Sequence, residues 1–429
     1  MRTHRSFKIK SLLQSKEALF WWSKQFETAV WLDSNSHQDR YSSFEACLAV
    51  GASQKFEITK TLHDFLENEK DWLFGYFSYD VKNELEDLTS NNFDGLGFPA
   101  VQFFQPLKVI RVENDELHFS YLNVVAQEIE ADFEEIRDFV PLQLPPEPQD
   151  AIKIKMRIHK DAYFEKAHRF LEHIHRGDIY EANFCQEFYA EDATINPWET
   201  YQKLNGISEP PFAAFARLND NYLMCASPER YLKKQGQKVI SQPIKGTARR
   251  GDDEREDEKF KRDLAQDEKE RSENIMITDL VRNDLSKSAI KGSVRVEELC
   301  NPYTFKQVHQ LISTIVSNVP KDKYPLELIK ETFPMGSMTG APKISAMKII
   351  EELEETKRGL YSGAVGYFSP NGDFDFNVVI RSILYNASNK YVSFSVGSAI
   401  TAKSDPEREY KECLLKAKAM RTVLEERET

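Results

Sequence analysis

Over residues 160–176 apolar side chains recur at Tyr163, Ala167, Phe170, Leu171 and Ile174, the spacing of a helix with one buried face, and Gly177 supplies its stop. Further along, the period shortens to that of strands. Residues 222–226, 230–233 and 238–242 read as three short strands, the last two joined by a turn at Gln235-Gly236. A tight hairpin there carries the chain back beside Ser227-Pro228-Glu229 and is expected to leave Lys245 close to Glu229. Residues 363–369, 374–385 and 391–400 read as three more strands, with Asn371-Gly372 as a type I′ turn signal between the first two. In the middle run Phe374, Phe376, Val378 and Ile380 share one face and Asp375, Asn377 and Arg381 the other, which predicts a packed side and a wet or ligand-facing side.

The N-terminal third alternates short apolar runs with polar turns, including a hairpin centred on Glu113-Asn114-Asp115, and reads as β-rich with helices. Pro141, Pro145, Pro146 and Pro148 then crowd a stretch that continues neither helix nor central strand. The expected division is therefore 1–150 and 151–429, joined by this linker. Residues 249–273 are an almost continuous charge run, expected to be a solvated loop and exposed helix face. Where it ends, Ile275, Met276, Ile277, Leu280, Val281 and Leu285 read as an apolar helix face, so Glu273 stands where the chain enters the core. The last helix opens on Ser404-Asp405-Pro406-Glu407, a capping-box spacing with proline in the first turn, and sets Glu409, Glu412 and Lys416 along one stripe.

Composition narrows the field. The chain has 429 residues, 41% hydrophobic and 12% aromatic, which excludes a disordered chain. Its 57 basic against 69 acidic residues give a formal charge of −12, so nucleic acid is not an expected partner and any anionic ligand must be held locally. Five scattered cysteines with no CxxC pair suggest neither a disulfide framework nor a zinc site and fit a reducing cytoplasm. No apolar run reaches the ~18 residues of a membrane span, so no membrane association is expected.

Four segments carry more turn and charged residues than packing requires: Ser227-Pro228-Glu229-Arg230, Pro243-Ile244-Lys245-Gly246-Thr247, the run FPMGSMTGAPK from Phe333 to Lys343, and Gly397-Ser398-Ala399. The third lacks the spacing of a nucleotide-binding P-loop. Taken in order, PIKGT, SENIMITDLVRNDLSK, FPMGSMTGAPK, GYFSPNG with VVIRS, and EREYKE resemble the chorismate-utilising enzymes, a family that includes anthranilate, aminodeoxychorismate, isochorismate and salicylate synthases. The resemblance is strong from about Asp161 to Met420. It implies an α/β (α+β) fold of the anthranilate synthase component I type, two central β-sheets packed together with helices outside, the N-terminal region integrated into the core.

Within that family, the branch resembling anthranilate synthase carries alanine in the PIxGT motif, and the branch resembling aminodeoxychorismate synthase component I carries lysine, as Lys245 does here. Isochorismate-forming relatives place a water-activating lysine where this chain has Glu181. The resemblance thus implies amination of chorismate to 4-amino-4-deoxychorismate, toward 4-aminobenzoate and folate, with Lys245 as nucleophile and Glu229 as general acid. A neutral amine is needed, so Lys245 is expected to have a lowered pKa. The resemblance further implies Mg²⁺ held by Glu273 and Glu412 with Glu409 near, and chorismate held by Gly246, Thr247, His309, Ser337, Lys343, Tyr367, Arg381 and Gly397. Ala399 and Lys403 depart from the family pattern near Gly397. In some relatives tryptophan binds between the N-terminal region and a proline-rich turn; the matching residues are Ser34, Tyr41, Ser42, Ser43, Phe44, Pro211 and Phe212, which hold tryptophan or nothing. No glutaminase nucleophile motif is present, so a separate glutaminase subunit is expected to supply ammonia. Rival readings are anthranilate synthase component I and a catalytically silent chorismate- or tryptophan-binding regulator.

Overall fold

The computed structural model describes residues 1–139 and 152–425; the proline-rich linker lies outside them. Among the described residues every pairing between two strands is antiparallel, an isolated parallel bridge of Phe93 to Thr356 apart, and the strands form two layers that meet in one long strand, Val101–Glu113. In the first layer Glu181–Ala190 pairs with Tyr391–Thr401, followed by Ser382–Asn386, Asn221–Ser227, Phe212–Leu218, Thr28–Asp33, Ala46–Phe56 and Val101–Glu113. The network then doubles back through Leu73–Phe77, Ala364–Phe368, Phe374–Val378, Arg230–Gln235, Lys238–Gln242 and Val308–Asn318, whose edges also carry Ile244–Arg249 and Arg295–Thr304. Strands from the first 139 residues thus enter both layers.

Burial explains the layering. Val30, Cys47, Leu223 and Leu384 of the first layer pack on Phe74, Leu232, Val239, Ile315 and Phe376 of the second, forming an apolar slab between the sheets. The other face of the first layer, with Trp31, Phe188, Phe215 and Phe394, is covered by helices Leu12–Trp22, Lys160–Arg176, Pro197–Ser208 and Pro406–Glu425. This is the expected pair of packed sheets with helices outside. The aromatic run at Phe20, Trp22 and Trp31 belongs to that outer core.

Several local expectations match. Helix Lys160–Arg176 ends on Gly177 at φ 88, which a side chain would resist. Asn114 and Asp115, both at positive φ, make the tight turn into Glu116–Leu122. Gly236 at φ 59 turns Arg230–Gln235 into Lys238–Gln242, and Arg230 pairs with Gln242.

Four expectations need correction. The run 374–385 is two strands, because Phe374–Val378 lies in the second layer and Ser382–Asn386 in the first; the chain changes layers at residues 379–381, with Arg381 at φ 51. Alternating apolar residues look the same on either side of such a crossing. The Asn371-Gly372 turn is not type I′: only Gly372 has positive φ, and its N–H returns to Ser369 O, because Pro370 with its fixed negative φ starts the turn. Helix Glu268–Ser286 buries Glu273, Asn274, Ile277, Thr278, Val281, Asp284 and Leu285, leaving Ile275 and Met276 exposed. Its inner face follows the helical period through polar residues that a hydrophobic count passes over. Finally, Asp405 rather than Ser404 caps helix Pro406–Glu425, accepting from the Arg408 N–H, while the Ser404 hydroxyl turns to Thr401 N–H and Ala399 O.

Candidate active site

The two ends of the doubled-back sheet network meet. Glu181 opens the last long strand of the first layer, Lys245 lies in Ile244–Arg249 at the margin of the second, and Lys245 Nζ stands 3.2 Å from Glu181 Oε1. Gly246 lets the chain bend there. At φ 96, a Cβ on it would meet Leu311 at 3.1 Å and Glu270 at 3.3 Å, and the strand's register slips between Ile244 and Thr247. Asn274 fixes the bend, its amide donating to Lys245 O and Leu311 O at 3.0 Å each.

The second cluster forms where two neighbouring segments change layers side by side. Asn221–Ser227 passes through Pro228-Glu229 into Arg230–Gln235, next to the crossing at Arg381. The Val378 N–H donates to Glu229 O and the Ala226 N–H to Arg381 O, tying the crossings together. Glu229 is buried, and Ser337 Oγ, in the 3-10 turn Gly336–Met338, donates to its Oε1 at 2.6 Å. Burial pushes the Glu229 carboxyl up to about 7, against the pull of the Ser337 hydroxyl, Lys245, the Ile244 N–H and Arg381. Arg381 makes no ion pair among the described residues; the charge that faces it is Glu229. Left-handed backbone at a non-glycine residue carries strain, and here it aims a guanidinium at a buried carboxyl.

Lys245 departs from expectation. Burial does pull its ammonium down, but Glu181, Glu273 and Glu229 more than offset that, and its pKa stands above the ordinary lysine value. In the resting site it is a cation. Glu181 is the carboxylate adjacent to that ammonium.

Around this pair lies an acidic patch built by two helices. Glu273 comes from Glu268–Ser286, and Glu409 and Glu412 from Pro406–Glu425. Lys269 Nζ lies between Glu273 Oε1 at 3.5 Å and Glu409 Oε1 at 3.6 Å. The Glu273 oxygen is buried and has no hydrogen bond. Burial pushes Glu273 up to about 7, against Lys245 and Lys269, and also raises Glu409, with Glu412 adding to it. Burial acts on Glu412 too, but Lys416, 2.7 Å away, with Lys245 and Lys269, leaves it below the ordinary range. Among the described residues no three acidic, histidine or cysteine side chains close a cation cage alone. Hard carboxylate oxygens, one of them without a hydrogen bond, next to a lysine that bridges two acids, fit a magnesium ion completed by water and ligand oxygens.

The other predicted residues lie on several elements. Gly397 lies in Tyr391–Thr401 facing Cys185, and its carbonyl accepts from Lys416 Nζ at 2.9 Å. A Cβ there would stand 2.6 Å from Cys185 Sγ and 2.9 Å from Asn183 Nδ2, so Gly397→Ala is expected to lower the melting temperature by several degrees, checked by differential scanning calorimetry. Ala399 pairs with Asn183 in extended backbone, and this departure costs no conformation. Thr247 is exposed at the margin, paired with Gln310. His309 is tied to Asp257 at 2.9 Å and Thr304 at 3.0 Å, and Lys343 to Asp284 at 2.5 Å and Thr332 O at 3.0 Å. Neither forms a hydrogen bond to Lys245 or Glu229 among the described residues.

Tyr367 lies elsewhere. It stacks near Phe44, Trp72 and Phe74 and lines a separate cavity of about 150 Å³ with Ser34, Ser42, Ser43, Pro211, Phe212 and Asp375. The predicted wet face of 374–385 is thereby split, Asp375 and Asn377 facing this cavity and Arg381 facing Glu229. Of the residues matched to tryptophan binding, Tyr41 alone turns away, its hydroxyl bonded to Glu297 and to Lys238 Nζ. Sequence reasoning gave no role to Glu181 beyond its departure from isochorismate-forming relatives, and none to Lys269 or Asn274. The position of Asn274 beside Glu273, inside SENIM, was the available signal.

A lysine and a buried acid at one junction, flanked by an acidic cluster and an unpaired guanidinium, make a site suited to a small anion. The family model for chorismate binding enzymes matches residues 11–422, and the chain belongs to that family. It is similar to anthranilate synthase component 1 of Thermus thermophilus, 35% identical over 360 residues, 82% of this chain and 77% of that one. It is likewise similar to aminodeoxychorismate synthase component 1 of Bacillus subtilis, 31% identical over 377 residues, 86% of this chain and 79% of that one. Among solved structures, anthranilate synthase component I from Streptococcus pneumoniae superimposes with a TM-score of 0.79 at 26% identity, covering 90% of this chain and 94% of that one. No described helix is long and apolar enough to cross a membrane.

Proposed function

We propose that this chorismate-family enzyme converts chorismate and ammonia to 4-amino-4-deoxychorismate, and that a separate glutaminase subunit supplies the ammonia. One observation carries the reading: Lys245, a residue able to form a covalent bond, stands with Glu229, a buried acid held half-protonated near neutrality, across one junction. Anthranilate formation does not call for an amine at this position.

The chemistry follows from the groups. Lys245 gives a proton to Glu181, and its freed lone pair bonds to C2 of the ring. Both conjugated ring double bonds shift, the C4–O bond breaks, and the Glu229 proton leaves with that oxygen as water. Ammonia then bonds to C4, both double bonds return to their first places, and the C2–N bond to Lys245 breaks, the surplus proton of the entering nitrogen passing to the departing amine. Two inversions give retention at C4. Arg381 pairs with a substrate carboxylate. Glu273 and Glu412, with Glu409 beside them, would hold Mg²⁺, which neutralises substrate carboxylate charge in a chain of net −12.

The test incubates chain, chorismate, Mg²⁺ and ammonium, then adds the lyase that releases 4-aminobenzoate. Formation of 4-aminobenzoate supports the proposal. Anthranilate without the lyase points to anthranilate synthase, and unconsumed chorismate to a silent binder.

The separate cavity supports a second reading. Its aromatic and proline walls, Phe44, Phe212, Tyr367 and Pro211, with serine hydroxyls and Asp375, suit an aromatic amino acid. L-Tryptophan is expected to raise the melting temperature of the wild type and not of Pro211→Trp, and no shift in either removes this reading.

A further inference from the structure

Beneath the proposed catalytic junction lies a buried ion pair that the reaction does not use. The side chains of Arg358 and Glu354 are 3% and 4% exposed, and the pair is bidentate, with Nε to Oε2 at 2.9 Å and one terminal nitrogen to Oε1 at 2.7 Å. The guanidinium also donates to two backbone carbonyls and, at 3.5 Å, to the Ser362 hydroxyl. One arm donates to Met338 O at 2.5 Å, the other to Asn183 O at 2.7 Å, and the plane lies over the Tyr79 ring, 4.6 Å from its centroid. Glu354 Oε1 in turn accepts from the Cys185 N–H at 2.8 Å.

The two carbonyls are informative by position. Met338 directly follows Ser337, which donates to Glu229, and Asn183 stands two residues after Glu181, which pairs with Lys245. The segments are further stitched by Asn183 N–H to Thr339 O and by the pairing of Gly340 and Ala341 with Ala182 and Glu181. The supports of the acid and of the nucleophile therefore hang from the two ends of one rigid fork. Burying a charged pair is a poor way to gain stability, since apolar replacements of equal volume often do as well. Holding two backbone segments at a set separation is a task that a planar guanidinium performs and a single ammonium does not.

We infer that Arg358, held by Glu354, is a positioning residue that sets the distance between the Ser337–Glu229 acid and the Glu181–Lys245 nucleophile. The inference rests on the reading of Lys245 and Glu229 as the reacting groups. A displacement of about 1 Å at reacting atoms costs on the order of 10²-fold in rate, whereas a support that only stabilises the fold leaves the rate of the folded protein alone.

The experiment measures chorismate consumption, whatever the product, for full-length wild type, Arg358→Lys, Glu354→Gln, Ser337→Ala and Arg358→Lys/Ser337→Ala, each well below its own melting temperature and normalised to folded protein. The expected result is a fall of kcat by roughly 10-fold or more in Arg358→Lys and Glu354→Gln with KM for chorismate changed by less than about 3-fold. The double variant should lose little beyond Arg358→Lys, because the serine acts through the same alignment. Either single variant at wild-type kcat, or losses in the double variant that simply multiply, overturns the inference. Were Arg358→Lys not to fold, Glu354→Gln decides by the same kcat criterion; were neither to fold, the pair is a fold support and the inference fails. Lys245→Ala and Glu229→Gln run alongside as controls: full activity there removes the reading of the site itself, independently of Arg358.

Discussion

Lys245→Ala loses 4-amino-4-deoxychorismate formation by roughly 10³-fold or more, the loss expected when a covalent route is closed and binding groups remain. The alanine variant also leaves Glu181 buried without its cation, which destabilises the fold by itself. Lys245→Arg separates the two effects, since it keeps a positive charge opposite Glu181 and offers no nucleophile. It is expected to melt near the wild-type temperature and to be as inactive as the alanine variant. Intact mass spectrometry of the wild type mixed with chorismate and Mg²⁺ without ammonia should show an added mass of chorismate less one water, absent in both variants. Full activity in Lys245→Ala, or wild-type protein that never gains this mass during turnover, would end the covalent proposal. Alanine at this position is the feature that the resemblance associates with anthranilate synthase, so Lys245→Ala is also the variant in which anthranilate should be sought.

Glu229→Gln trades activity for stability. Removing the acid is expected to lower kcat by about 10²–10⁴-fold, because glutamine keeps the shape and has no proton of suitable acidity to give the leaving oxygen. The same change should stabilise the protein above neutrality. Burial raises the folded-state pKa of Glu229 to about 7 from an ordinary 4.5, so the folded chain binds this proton more tightly than the unfolded chain does. Relative stability is then fully present below about 4.5 and declines as pH rises through about 7. At pH 8 the wild type carries an ionised carboxylate in a buried place, and the glutamine variant does not. The variant is expected to melt higher than wild type at pH 8 by about 2 °C or more, and the difference should shrink toward pH 5. Thermal melts at the two pH values check the sign; a gap that widens on acidification contradicts the buried, pKa-raised carboxyl.

Legibility in the sequence followed the range of the interactions. Lys160–Arg176 and its Gly177 stop, the turns at Asn114 and Gly236, and the approach of Lys245 to Glu229 through one hairpin depend on neighbours along the chain, and all appear where the pattern puts them. The run 374–385 shows where that reading stops. Its alternation is correct in both halves, and nothing in alternation records that the halves belong to different sheets. The consequence reaches the site, because Arg381 occupies the crossing and faces Glu229 while Asp375, on the same predicted face, lines a separate cavity with Tyr367. Lys343 and His309 illustrate a different limit. The motif supplies their identity, and only packing reveals that Asp284 and Asp257 have taken their polar atoms.

What the amino-acid order by itself determined is the set of reactive groups and their local geometry: a lysine one residue before a glycine that bends, an acid at the end of a strand, carboxylates spaced along helices. Those choices are made by dihedral preference and by the repeat of helix and strand, which act within a few residues. The protonation of Lys245, the half-acidic state of Glu229, the partnership with Glu181 and the fork at Arg358 were decided only when the ends of the doubled sheet closed on each other. Electrostatic energy depends on separation through space and on the loss of water, and neither quantity exists until distant segments are packed together.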